Sequence, residues 1–388
     1  MMRVFSSRLQ WDSQPNTLSI LLAETRRSGA VILDLTESNP TRAGFNYPGE
    51  ELLAALADSR GLLYNPDPHG LLAAREAVVE YYAQRGVDVP ASRILLTAST
   101  SEAYSYLFKL LANPGDEILV PRPSYPLFDY LAAMESVCVR QYPLDYDGVW
   151  HIDFDALASA ITPRTRAIVV VNPNNPTGSY LKRAEWERLQ TFGLPILSDE
   201  VFSDFAFAPD SARVATLTGA SDDALTFSMS GLSKIAGLPQ MKLGWIVAGG
   251  PDHAAALAGL EWIADTFLSV ATPVQWALPR ILAASGAVQE QIRRRTRGNL
   301  LHVVENAAGS ACRCLHVEGG WYAILQVPRI RSEEEWAISL LADSDVLVQP
   351  GYFYDFEEEA LLVLSLLTPP AIFAEGLRRI LDTAGRPS

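Results

Sequence analysis

The 388-residue sequence predicts an α/β protein: a large domain with a mainly parallel central sheet covered by helices, and a smaller α+β domain. Three observations carry this expectation. Short apolar runs recur at 94–97, 116–120, 167–171 and 195–197 and alternate with helical patterns, as strands buried on both faces do. Each run ends in polar or Pro/Gly-rich residues, the sheet edge where open parallel sheets bind ligands. After Gly250 the pattern changes to long helices, and then to alternating strand and helix.

In chain order, residues 1–30 read as an entry arm with a helix near 18–28. A short strand at 31–35 leads into Thr36-Glu37-Ser38-Asn39-Pro40. Pro40 forces Asn39 away from helix, so this is a turn able to present backbone donors, and Arg42 follows it. A short helix at 50–57 precedes Tyr64-Asn65-Pro66-Asp67-Pro68-His69-Gly70, a loop of helix breakers. Residues 72–85 carry apolar side chains at three- and four-residue spacing and read as an amphipathic helix.

The strand at 94–97 turns through Ala98-Ser99-Thr100-Ser101 into a helix at 102–111. The strand at 116–120 ends in Pro121-Arg122-Pro123-Ser124-Tyr125-Pro126, and that at 167–171 in Asn172-Pro173-Asn174-Asn175-Pro176-Thr177-Gly178. The strand at 195–197 ends in Ser198-Asp199-Glu200-Val201-Phe202. A further apolar run at 224–227 leads into Ser228-Met229-Ser230-Gly231-Leu232-Ser233-Lys234, then a loop with Gly237, Pro239 and Lys242, then a strand at 245–248. Helices are expected at 254–267, 274–284 and 287–308, the last with Arg293-Arg294-Arg295 on a solvated face. Strands at 321–327, 346–348 and 361–366 and helices at 333–342 and 371–384 complete the chain, with a loop at 350–353. The expected division is an N-terminal arm with part of the small domain at 1–45, a large cofactor-binding domain at 46–270 and a small domain at 271–388.

Composition narrows the function classes. With 48% hydrophobic and 20% charged residues the chain resembles an ordinary globular enzyme. A net charge of −14 argues against nucleic acid or an anionic membrane as partner. Three cysteines, Cys138, Cys312 and Cys314, make no disulfide framework and no zinc site, so no metal is expected. No run approaches a membrane span and no secretory pattern opens the chain, so the expected location is cytoplasmic.

Lys234 is the residue around which the chemistry gathers. A lysine at the mouth of a sheet, among small hydroxyl side chains, is held near a ligand and partly desolvated. That is what an amine needs to attack a carbonyl and form a Schiff base. The ordered set Asn175-Pro176-Thr177-Gly178, Asp199 and Ser233-Lys234 resembles the fold-type I pyridoxal-phosphate enzymes, specifically the class I/II aminotransferases of the aspartate aminotransferase superfamily. The likeness covers nearly the whole chain from about Leu33 onward.

The resemblance implies pyridoxal 5′-phosphate as cofactor. It makes Lys234 the Schiff-base lysine and proton shuttle, and Asp199 the acid that keeps the pyridine nitrogen protonated. It also implies a phosphate cradle at Ser99, Thr100 and Ser101, where helix-start amides and hydroxyls converge on an anion. Tyr125 would stack on the ring, Asn175 would bond its O3′ and meet the substrate, and Lys242 would stand for a phosphate-binding arginine. Tyr64 would reach the neighbouring subunit's cofactor, which makes a homodimer part of the implication.

Departures from the family pattern matter too. Phe202 stands where a tyrosine is usual, Gly231 where a hydroxyl is usual, and Val363 where an arginine fixes the substrate carboxylate. Arg42, two residues past the Ser38-Asn39-Pro40 turn, is the first candidate to meet that carboxylate instead, and Asn39 and Asn175 are the other expected substrate contacts. The implied reaction is amino-group transfer from an amino compound, an amino acid first among them, to a 2-oxo acid. Elimination, decarboxylation or racemisation on the same cofactor is the alternative, and a ligand-sensing module on the same fold is the third.

Overall fold

A computed structural model describes residues 6–9, 14–219 and 223–385, so the parts of the expected N-terminal arm at 1–5 and 10–13 lie outside the described residues. The first strand, β1 (Leu33–Asp34), is shorter than expected. It is followed by β2 (Ile94–Thr97), β3 (Glu117–Arg122), β4 (Cys138–Tyr146), β5 (Trp150–Ile152), β6 (Thr165–Val171), β7 (Ile196–Asp199), β8 (Thr226–Gly231) and β9 (Gly244–Gly249). The last eight form one sheet in the order β2-β9-β8-β7-β6-β3-β4-β5. Strands β8, β7, β6, β3 and β4 run parallel; β9 is antiparallel to both its neighbours and β5 to β4. The carboxyl ends of β2, β3, β6, β7 and β8, and the start of β9, therefore share one edge.

Side-chain alternation explains how helices cover both faces. Leu95, Val169, Leu197 and Met229 pack with helices Thr100–Leu111 and His253–Phe267. Ile94, Leu96, Trp245 and Val247 face the other way, onto helix Leu72–Ala83 and the start of helix Thr272–Ala307. The stretch between Tyr125 and Thr165 had no expected elements, yet it supplies β4, β5 and helices Phe128–Met134 and Phe154–Ala160. Exposure alternates along β4, so it has no continuous apolar run to read.

The two helices expected at 274–284 and 287–308 are one helix, Thr272–Ala307. Ser285-Gly286, between the two expected segments, has weak helix propensity. The buried stripe Leu278, Ile281, Ser285, Val288, Gln289 and Ile292 continues through it at helical spacing, and the Ser285 hydroxyl donates to Leu282 O at 2.7 Å. Packing overrides the weak local preference.

The remaining strands are β10 (Arg313–Cys314), β11 (Tyr322–Gln326), β12 (Val346–Leu347), β13 (Gln349–Pro350) and β14 (Leu361–Ser365). Four of them make an antiparallel sheet, β10-β11-β14-β13, while β12 pairs parallel with β1. Leu18 of helix Thr17–Arg27 and Leu35 share a core with Trp336, Leu340, Leu362 and Leu364. Leu18 and Leu35 thus share one core with residues from Val303 onward. No helix among the described residues is long and apolar enough to cross a membrane.

Candidate active site

Asp199 ends β7, and on the adjacent strand β8 gives way at Gly231 to the single helical turn Leu232–Ile235, which carries Lys234. Gly231 is there for close approach. A Cβ at that position would lie 2.8 Å from Gly244 Cα and 2.9 Å from Leu243 O, too near for any side chain, so a hydroxyl-bearing residue would push β8 off β9.

Burial holds the Lys234 amine below the usual lysine range, and the Asp199 carboxylate restores part of that loss. Burial likewise pushes the Asp199 carboxyl up to about 6, against the pull of donors from Val201 N and Tyr104 and of the Lys234 charge. The Val201 N–H donates to Asp199 Oδ1 at 3.3 Å and the Tyr104 hydroxyl to Oδ2 at 3.2 Å. Lys234 Nζ sits 5.1 Å from the ring centroid of Trp321 and 5.6 Å from that of Phe202, within cation–π range.

Ser99 is the N-cap of helix Thr100–Leu111, its hydroxyl accepting from Glu102 N at 3.2 Å. The first-turn amides of Thr100 and Ser101 and the positive end of the helix therefore point off the shared sheet edge. Gly244, paired with Thr97, packs against Ser99: a Cβ there would lie 3.3 Å from Ser99 C. Lys242, two residues earlier, is exposed in a left-handed conformation.

The Asn172–Gly178 loop is fixed by its other asparagines. Asn172 Nδ2 donates to Val214 O at 2.7 Å, and Asn174 Nδ2 donates to Pro123 O at 3.3 Å. Asn172 N donates to Asp199 O at 2.8 Å, tying the loop to β7. Asn175 is left with a buried Oδ1 that has no hydrogen-bond partner. Such an atom costs stability unless a ligand or water meets it. The Pro123–Asn174 bond brings the Tyr125 segment alongside. The Tyr125 ring is 44% exposed, and burial of its hydroxyl together with the nearby Asp199 carboxylate raises its pKa.

Opposite this face stands a wall of Phe202, Trp321, Tyr322, Tyr354 and Val363. Along β14, Leu362 and Leu364 point into the core around Leu35 and Trp336 while Val363 points into this wall. Asn39 holds its own turn, Oδ1 accepting from Thr41 N at 3.0 Å and Thr41 Oγ1 at 2.7 Å. Arg42 is exposed at the turn's end. Tyr64 is not brought to Lys234 of its own chain. It is 79% exposed and lines a separate cavity of about 190 Å³ with Tyr106, Ser269 and Gln275.

Thus Lys234, Asp199, Asn175, Tyr125 and the Ser99–Ser101 turn gather at one sheet edge, while Arg42 and Tyr64 stand at the surface. Sequence reasoning missed Tyr104, one turn beyond Ser99–Ser101 on the sheet-facing side of its helix, a periodicity that could have found it. It also missed Trp321, which only the tertiary fold brings to Lys234, and Tyr322, which packs edge-on against Phe202. No cluster of potential metal ligands occurs among the described residues.

Residues 30–370 match the family model for aminotransferase class I and II. The glutamate-pyruvate aminotransferase AlaA of Escherichia coli (strain K12) is 30% identical over 356 residues, covering 87% of this chain and 87% of that protein. The arginine-pyruvate transaminase AruH of Pseudomonas aeruginosa is 29% identical over 369 residues, covering 91% of this chain and 90% of its own. An aminotransferase structure from Escherichia coli superposes with a TM-score of 0.84 at 26% identity, covering 99% of both chains.

Proposed function

The chain belongs to the class I and II aminotransferases, and we propose that it moves an amino group between an amino acid and a 2-oxo acid, with Lys234 as the covalent anchor of the cofactor. It is a pyridoxal-phosphate-dependent aminotransferase; the residue roles that follow are our assignment. The observation that carries them is the pairing of a buried lysine, held below its usual pKa, with a buried carboxylate at the ends of two neighbouring strands.

The residues present fit the cofactor. The unpartnered Asn175 Oδ1 marks a polar position awaiting a ligand. The turn at Ser99, Thr100 and Ser101 offers amides and a helix dipole to a phosphate, and Lys242 lies two residues before the Gly244 that packs on Ser99. When bound, pyridoxal phosphate supplies a ring that accepts the electron pair left as the substrate's Cα loses its proton.

Each protein group then has a stated task. Lys234 Nζ, neutral more readily than a solvated lysine, would take the proton from the substrate's Cα and deliver it to the cofactor carbon rather than back to Cα. Asp199, ionised above about pH 6, sets a negative charge that keeps a pyridine nitrogen protonated. Tyr104 and Val201 N steady that carboxylate by donating to it. Tyr125 would cover one face of the ring, and Trp321 with Phe202 screens Lys234 from water. Asn39 and Arg42 border the substrate. A homodimer in which Tyr64 reaches the neighbouring site completes the reading, and the exposure of Leu62, Leu63 and Tyr64 supports it. The same reading assigns the enzyme to the cytoplasm.

Borohydride reduction of the yellow protein, followed by peptide mapping, tests the anchor. Cofactor fixed to the peptide containing Lys234 is the expected result, and labelling of another lysine overturns it. A panel of amino donors and oxo-acid acceptors read by absorbance then identifies the substrates. Only transamination leaves the enzyme stably in its aminated form.

A further inference from the structure

The turn that carries Lys234 is four residues long, Leu232–Ile235. A helix of that length does not hold itself in water, and its last carbonyls have no partners within it. Ile235 O at its end and Gly237 O just beyond it are met by side chains from distant parts of the chain. Tyr47 donates its hydroxyl to Gly237 O at 2.7 Å, and Gln289, midway along helix Thr272–Ala307, donates Nε2–H to Ile235 O at 2.7 Å.

The Gln289 amide has a second task. Its other N–H reaches Asp204 Oδ2 at 3.0 Å, and its Oε1 accepts from Arg293 at 3.2 Å. Asp204 lies five residues beyond Asp199, in the loop that also carries Phe202. That loop is pinned from the same side. Arg85 grips the Asp204 carboxylate with bonds of 2.8 and 2.9 Å, Tyr81 donates to it at 3.1 Å, and Arg293 Nε donates to Asp204 O at 2.9 Å. Gln289 is buried with every donor and acceptor of its amide in use. Such a fully satisfied buried group fixes one arrangement of the elements it joins.

We propose that Gln289 is a positioning residue for the reaction: its amide sets the spacing between the Lys234 turn and the Asp199–Asp204 loop, and so aims the lysine at the carboxylate it works with. A residue that merely filled the helix interface would need no amide, since Val288 and Ile292 flank it as apolar packing. The inference rests on the assignment of Lys234 above.

The test uses the holoenzyme of wild type, Gln289→Leu and Gln289→Glu. Leu keeps the volume and removes all three bonds. Glu keeps the partner for Arg293, removes both donors and sets a second carboxylate against Asp204. Borohydride mapping on all three reports the Lys234 assignment independently of Gln289. The expected result is label at Lys234 throughout, a pH midpoint of the visible band displaced by about half a unit or more in the variants, and kcat lowered about tenfold with KM for the amino donor within about twofold. Melting temperature reports folding, and if Gln289→Leu does not fold, Gln289→Glu carries the same readouts. A lowered melting temperature with unmoved pH midpoint and kcat overturns the proposal and leaves Gln289 a packing residue. Label away from Lys234 in the wild type overturns the anchor assignment instead.

Discussion

The Tyr104 hydroxyl donates to Asp199 Oδ2 at 3.2 Å from the helix that opens at Ser99, so the turn assigned to the phosphate and the acid assigned to the ring nitrogen are joined through one phenol. Burial raises the Tyr104 pKa well above its usual value, so it remains a donor throughout the working range. Tyr104→Phe removes a bond that favours the charged carboxylate, and the Asp199 pKa, already about 6, rises further. Hydrogen bonds to charged groups are worth about 1.5–3 kcal/mol. The expected outcome is roughly tenfold weaker binding of pyridoxal phosphate to the apoenzyme at pH 7, read by absorbance titration. Unchanged affinity would assign Tyr104 to packing against Phe128, whose ring it meets edge-on at 5.3 Å.

Much of this arrangement was legible in the sequence, for physical reasons. Strands such as Ile94–Thr97 and Ile196–Asp199 are buried on both faces and leave continuous apolar runs. Asp199, Lys234 and Ser99 stand at the ends of such runs, where the chain order of polar residues is itself a signal. The strand Cys138–Tyr146, next to the sheet edge, leaves no such run. Tyr104, Trp321 and Gln289 gain their places only through contacts across the fold, with Asp199, Lys234 and Ile235 as partners. No spacing within one element records those pairings. At Ser285-Gly286 weak local propensity yields to a stripe of buried side chains, so the two expected helices are one.

Glu200 should make the fold pH-dependent in its own right. It is buried beside Asp199 and accepts from Ser198 Oγ at 2.8 Å, Thr216 Oγ1 at 2.5 Å and Leu217 N at 2.8 Å. Burial outweighs these donors and lifts its pKa from 4.5 to about 7. The folded state thus holds the proton more tightly than the unfolded chain does. The associated stability is full below about pH 4.5 and is lost as pH rises through about 7. In Glu200→Gln the Thr216 hydroxyl can turn to accept from the new amide. The variant should gain on wild type as pH rises, by up to roughly 3 kcal/mol at pH 8, at about 1.4 kcal/mol per pKa unit. Thermal melts of both apoproteins at pH 5 and pH 8 measure this. A melting-temperature difference that is the same at both pH values would mean that Glu200 keeps an ordinary pKa.

Phe202 offers a test of how the Lys234 environment is tuned. Its ring is buried, 5.6 Å from Lys234 Nζ and 5.2 Å from the Trp321 ring. Phe202→Tyr adds a donor near the cofactor's expected place. A donor that stabilises the deprotonated state lets the proton leave at lower pH. The pH midpoint of the visible band should therefore fall by about half a unit or more relative to wild type. An unmoved midpoint would indicate that the new hydroxyl instead accepts from Trp321 Nε1, which is buried without a partner.

Arg42 carries the last prediction, because of what Val363 does not supply. Val363 is fully buried and points into an uncharged wall with Phe202, Tyr322 and Tyr354, so β14 brings no cation to the substrate. A carboxylate in a half-buried cleft needs a charged or hydrogen-bonding partner. The backbone before Arg42 is fixed by Asn39, whose carbonyl accepts from Arg42 N at 3.0 Å, and Ala43 O is held by Arg295 at 3.1 Å. The exposed Arg42 side chain thus swings from a rigid base. Bonds of this charged kind are worth about 1.5–3 kcal/mol, so Arg42→Ala should lower kcat/KM for amino-acid donors by roughly one to two decades, at about 1.4 kcal/mol per decade. Amine donors without a carboxylate should be nearly unaffected. Equal losses for both donor classes would make the arginine structural. No loss for either would remove it from the substrate site, and an amino donor lacking a carboxylate would then fit the wall around Val363 better.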